Sequence, residues 1–434
     1  MKMKSALTCI ICFISVLSSS AQSELPAPAA VQQGKITLTH ATIHVGNGQV
    51  LNNGTISFEN GKITLLAENP TFKTDETMGK VIDCQGKHIY PGIIAPNTKI
   101  GLDEIEAVRA TNDYAEVGTF NPDARAIVAY NTDSRVTPTV RSNGVLYAQS
   151  TPQGWYIAGT SAVVQLDAWN WEDALVKEDG IWMSWPGMFR RTGWWAEPGP
   201  YEMNKDYDKQ ILTLKDYFSE ARSYYQQGKH DKTNLRFEAM KGLFDKSKKL
   251  YVNVDYVKEI QQVIAFADEY GISLVISGGR DSYLLTDVLV EKNIPVILGT
   301  VHSLPNTNED DVNQPYKTPG LLQKAGVLFC LSISEGFWQE RNLPFMAGTA
   351  AAHGLTPEEA LSSITYNAAK ILGVDSTIGT LEKGKVASLI VSTGDVLDMR
   401  TSNVELAFIN GRQIDLGNKQ KTLNEKYLKK YGVN

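Results

Sequence analysis

The stretch from Gly86 to Leu102 reads GKHIYPGIIAPNTKIGL. Before it the chain alternates short apolar and polar runs; after it, strand-like and helix-like patterns take turns over longer distances. The apolar run Ile89 to Ile94 carries Pro91-Gly92 and leaves through the polar Asn97-Thr98-Lys99. A buried strand that ends in spaced polar residues is how a (β/α)8 barrel offers side chains at its C-terminal face. Asn97 and Lys99 are two apart, so strand alternation points both the same way.

Toward the N-terminus, Lys35 to Ile82 contains ITLTHATIHV, TISFENGKITLLA and GKVIDCQG, punctuated by Asn47-Gly48, Asn53-Gly54 and Asn60-Gly61. Asn-Gly between alternating runs predicts hairpins, and so an antiparallel β unit. His40 and His44 fall on these strands as surface or core histidines. Toward the C-terminus, Gly379 to Gly384 leads into VASLIVST and VELAFINGRQI, again short strands with an Asn-Gly turn.

Between these ends, Ile93 to about Leu372 predicts an α/β barrel. Val252–Val254, Ser273–Ile276, Pro295–Leu298 and Val327–Leu331 read as strands. Val257, Ile260, Val263, Ile264 and Ala267 recur at helical spacing before Gly271. Strict strand–helix alternation argues for a parallel sheet. Thr356-Pro357-Glu358-Glu359 opens a helix with an N-cap, a first-turn proline and a capping box, and Gly373 closes it. Tyr207 to Gln227 predicts a long amphipathic helix stopped by Gly228. The first half is less regular. Tyr147 to Trp195 holds seven of the eight tryptophans, as a satellite core under a long insertion or as an aromatic wall.

PGIIAPNTKIGL resembles the first barrel strand of the amidohydrolase superfamily, imidazolonepropionase-like branch, where PG(L/I)(I/V)D-x-H-x-H carries the first two metal-binding histidines. GLTPEEALSSITYNAAKILGV and IGTLEKGKVASLIV are close to that family's C-terminal signature, with Ser388 where an aspartate is usual. The resemblance covers nearly the whole mature chain. It implies an α/β fold, a TIM-like (β/α)8 barrel with a small β-sandwich built from both chain ends. The implied bounds are a signal peptide at 1–21, a linker at 22–34, the sandwich at 35–90 and 376–416, the barrel at 91–375 and a tail at 417–434.

Amidohydrolases hydrolyse non-peptide C–N bonds with one or two divalent metals, zinc by family default, which activate water and polarise a carbonyl. The resemblance places the ligands at the ends of strands one, five, six and eight. Here Asn97 and Lys99 replace His-x-His. In VNVDYVKEI, Asp255 stands where a histidine would be; in VISGGRDS, Gly278 does; and AGVLFCLSIS ends in Ser334 where an aspartate serves as ligand and base. These substitutions predict a barrel mouth without the family's metals: no metal ligands and no cofactor. Asn97, Gly278 and Ser334 become candidates for binding a small-molecule ligand. Two functions follow. One is a pseudoenzyme that binds a ligand, or that pairs with an active amidohydrolase paralogue or with a second copy of itself. The other is a hydrolase working without the family's metal, with Lys99, Asp255 and His302 as acid and base. Lys99 and Asp255 are expected to pair across the mouth. His302 follows the strand VILGT, whereas His88, His230 and His353 read as surface residues.

Composition agrees with a protein of this kind. The 434 residues are 42% hydrophobic and 21% charged with net charge −6, which suits one large and one small domain and gives no basic surface for nucleic acid. Met1-Lys2-Met3-Lys4, the apolar Ala6 to Leu17 and the small Ser19-Ser20-Ala21 read as a secretory signal, too short for a membrane span. The expected address is the periplasm or the exterior, with no membrane span after cleavage. Only Cys84 and Cys330 then remain, too few for a disulfide framework.

Overall fold

A computed structural model of the chain describes residues 27–68, 76–305, 309–333 and 336–432. The signal segment lies outside these residues. Among them, no helix is long and apolar enough to cross a membrane.

Strands from both chain ends share one hydrogen-bonded sheet. Its order is Arg412–Gln413, Val404–Ile409, Leu389–Ser392, His88–Pro91, Ile36–His44, Val50–Glu59, Lys62–Glu68. Phe58 and Phe408 sit on strands with three others between them, yet their rings meet edge to face at 5.0 Å. The sheet therefore curls over a core of its own, which includes Leu38, Ile43, Ile56, Ile89, Leu389 and Val391. Asn60-Gly61 and Asn410-Gly411 make tight turns with both residues at positive φ, as a two-residue hairpin requires. Asn53-Gly54 does not turn. It lies inside Val50–Glu59 at an irregularity opposite Ala41, where a Gly54 Cβ would meet Ile43 Cδ1 at 2.7 Å. Nor is the unit wholly antiparallel, since Lys80–Asp83 runs parallel to Ile36–His44.

The second sheet is the barrel. Its strands in chain order are β1 (Ile93–Thr98), β2 (Val145–Ser150), β3 (Ile157–Gln165), β4 (Leu175–Ser184), β5 (Leu250–Val254), β6 (Leu274–Gly278), β7 (Val296–Leu298) and β8 (Phe329–Leu331), each beside the next. β4 to β8 are parallel, as the alternation predicts. β3 is antiparallel to both neighbours. The path ends at β8 and β1, and the Ile94 N–H of β1 donates to the carbonyl of Ile364, which caps helix Pro357–Ser363, at 2.9 Å. Trp182 stacks on Tyr251 with centroids 5.0 Å apart inside the barrel core, and both are fully buried. At the N-terminal end of the barrel, Ser388 meets the Tyr147 hydroxyl at 2.6 Å, and its carbonyl accepts from Gly92 N–H.

The helices follow their sequence signals. Tyr207–Gln227 stops at Gly228, and Val257–Tyr270 ends on left-handed Gly271. Thr356 and Glu359 close a reciprocal capping box. The helix it opens stops at Ser363, and a second one, Tyr366–Leu372, runs on to Gly373. Cys84 and Cys330 are buried free thiols.

Candidate functional site at the barrel mouth

At the exit of β1 the backbone departs from strand geometry. Asn97 has φ 51°, and the register against β2 slips between Ala95 and Thr98. This bulge lets the Asn97 N–H donate to Gln149 Oε1 on β2 at 3.1 Å, while its amide Nδ2 donates to Ser277 Oγ on β6 at 3.1 Å. One side chain thus ties β1 to β6 across the barrel. Its Oδ1 is buried and has no partner among the described residues. Lys99 lies just past the strand. Its ammonium donates to Asp103 Oδ2 at 2.9 Å, lies 3.7 Å from Glu106, and sits over the Tyr114 and Phe337 rings at 4.6 and 5.5 Å.

Asp255 follows β5 and belongs to a different group. The Arg280 guanidinium is 3.8 Å away, the Arg280 N–H donates to its Oδ1, and burial pushes its pKa up against the pull of Arg280. The expected Lys99–Asp255 pair is therefore corrected: each charge has another partner, and no ion pair joins them among the described residues. Gly278 closes β6 at φ 88°, and a Cβ there would lie 2.6 Å from Asp255 Oδ1 and 3.2 Å from the Val254 carbonyl. That conformation suits glycine and obstructs a histidine. His302 turns to Thr349 on helix Leu343–Ala352, its Nε2 2.7 Å from the hydroxyl, and burial lowers its pKa. Ser334 lies outside the described residues.

The mouth also holds a residue that the sequence reading passed over. Glu340, on the short helix Phe337–Asn342, is completely buried, and among the described residues its carboxyl oxygens have the Thr98 side chain beside them but no well-formed hydrogen bond. Burial pushes its pKa far up, with Thr98 beside it opposing. It lines a cavity of about 220 Å³ with Asn97, Lys99, Tyr114, Gln153 and Phe337. In FWQERN nothing separates this glutamate from an ordinary surface charge; only its burial singles it out.

The amidohydrolase family model matches residues 289–414. Imidazolonepropionase of Symbiobacterium thermophilum is 33% identical over 91 residues, 20% of this chain and 21% of that protein. Imidazolonepropionase of Pseudomonas savastanoi pv. phaseolicola is 42% identical over 72 residues, 16% and 18% of the two chains. The matched stretch spans about a fifth of these curated relatives. An amidohydrolase from Thermotoga maritima superposes with a TM-score of 0.76 over 88% of this chain and 99% of its own, at 24% identity. The chain resembles the amidohydrolase superfamily, on its imidazolonepropionase-like branch.

Amidohydrolases as a class use divalent metals, so the side chains of this chain can be tested against that requirement. A metal site needs several converging anionic or imidazole donors. The four described positions that resemble the family's ligand positions in sequence hold an amide, an ammonium, a carboxylate and a glycine. Among the described residues no three His, Cys, Asp or Glu side chains are placed to hold an ion. The Lys99 ammonium would also repel one. The residues present do not fit the family's metal.

Proposed function

We propose that this amidohydrolase-superfamily protein binds a small molecule at the barrel mouth and does not hydrolyse C–N bonds by the family's metal route. The observation that carries the reading is the commitment of the mouth's side chains: Asn97 to Ser277, Lys99 to Asp103 and Asp255 to Arg280. A general acid–base set needs groups that converge on one reacting atom. Lys99, Asp255 and His302 instead answer to three separate partners. A chain that keeps the fold without the chemistry can hold a ligand or support a catalytically intact paralogue or a second copy of itself. The lined cavity favours the ligand. The Met1 to Ala21 pattern supports a periplasmic or extracellular address for the mature protein.

The test combines metal analysis of the purified mature protein with hydrolysis assays on lactam, amidine and dipeptide substrates, with and without added zinc or manganese. Substoichiometric metal and no turnover are expected. Stoichiometric metal with metal-dependent turnover would overturn the proposal, and turnover by the metal-free protein would revive Lys99, Asp255 and His302 as its acid and base.

A further inference from the structure

We propose that the barrel-mouth cavity takes a small organic ammonium ion, its N–H groups donating to Glu340 and to Asn97 Oδ1. This names the ligand class for the binding reading above and rests on it.

The first argument is hydrogen-bond satisfaction. Buried polar atoms nearly always have partners, and each exception needs an explanation. Asn97 Oδ1 is buried with no partner among the described residues, the two buried carboxyl oxygens of Glu340 have the Thr98 side chain beside them but no well-formed hydrogen bond, and both residues line the same cavity. An amide oxygen can only accept; the Glu340 carboxyl, which burial biases toward its protonated form, keeps acceptor lone pairs, and a cation beside it favours the ionised, acceptor-only form. The missing component is therefore a donor. The second argument is charge. Among the described residues at the cavity wall the ammonium is Lys99, and it is answered twice, by Asp103 at 2.9 Å and Glu106 at 3.7 Å. Two carboxylates thus face this one ammonium before Glu340 is counted, which disfavours an anionic ligand. The third is the wall itself. Tyr114 and Phe337 already turn their faces to the Lys99 ammonium, and aromatic faces attract cations. At about 220 Å³ the space is smaller than a drug-sized pocket and suits a short-chain amine.

The experiment is calorimetric titration of the mature protein with propylammonium chloride, alongside propionamide and tetramethylammonium at equal ionic strength. Propionamide offers N–H donors without charge, and tetramethylammonium offers charge without N–H. Propylammonium is expected to bind, and the other two at least about tenfold more weakly. Glu340→Gln keeps the shape and is expected to weaken propylammonium binding by about tenfold or more. Phe337→Leu should weaken it with the carboxyl intact, which keeps the test valid if Glu340→Gln does not fold. No binding of propylammonium would overturn the proposal, as would unchanged affinity in Glu340→Gln. Equal or tighter binding of propionamide would overturn the cation assignment while leaving the binding reading in place. Stoichiometric metal with turnover would remove the binding reading itself.

Discussion

Asn97 and Lys99 are two residues apart, and a regular strand would set them side by side. The left-handed backbone at Asn97 and the register slip before Thr98 break that alternation. Asn97 therefore reaches across to Ser277, and Lys99 swings to Asp103, four residues on. The residue types at the family's metal positions were legible in the sequence; their partners were not, because a bulge is a local backbone event with no signature in APNTKIGL. The same holds for Glu340, whose burial depends on how the short helix Phe337–Asn342 folds under the mouth. Asp103 is fully buried, so losing its cation should be costly. Lys99→Met is expected to lower the unfolding free energy by about 3 kcal/mol, and Lys99→Met with Asp103→Asn to recover most of that. Urea unfolding of the four proteins measures the coupling, and strictly additive effects would show that the pair contributes none.

β3 departs from the barrel alternation for a simple reason. Residues 151–156 are all that join β2 to β3, and a parallel crossover needs a dozen or more, so the chain can only turn back. The turn was hidden in a stretch whose tryptophans drew the attention. Those tryptophans divide: Trp182 and Trp185 are buried and Trp171 packs on the core, whereas Trp155, Trp169, Trp194 and Trp195 are exposed. The satellite-core reading thus describes three of the seven. Trp194 and Trp195 belong to a projecting hairpin, Phe189–Trp194 with Glu197–Met203, that alternation alone could not place.

At the junction of the two sheets, helix Pro357–Ser363 brings Glu358 to 2.6 Å from His44 Nδ1, and His44 Nε2 lies 3.0 Å from His88 Nδ1. Tyr90 stacks on His44, and Asp395 is the other charge facing His88. Burial first, then His44, lowers the His88 pKa below its ordinary 6.5. The unfolded imidazole then takes a proton more readily than the folded one, so His88 contributes a loss of stability as pH falls through about 6.5 and none above it. The urea midpoint is expected to drop between about pH 7.5 and pH 5.5, and less steeply in His88→Gln. Parallel slopes in the two proteins would refute this.

For the whole molecule, the architecture was readable because hydrophobic periodicity and turn chemistry agree over long stretches, from the Asn60-Gly61 turn to the capping box at Thr356. What one sequence could not give was the convergence of side chains from distant strands at the mouth. A mouth whose described residues include no cluster of metal donors also makes a thermodynamic statement, because metal binding stabilises a fold only where a site exists to bind it. The thermal midpoint is expected to be indifferent to chelator and to added zinc. A rise of several degrees with zinc, abolished in His302→Ala, would reveal a rebuilt site. One more feature bears on how the chain comes to exist at all. Leu389–Ser392 slots between His88–Pro91 and Val404–Ile409, so the strand that covers the edge of His88–Pro91 is made only after the entire barrel. During synthesis that edge is an open template, and any second nascent chain can pair with it. The hazard for this protein is one of timing: it lasts until the last strands are in place and ends once the two ends of the chain have met.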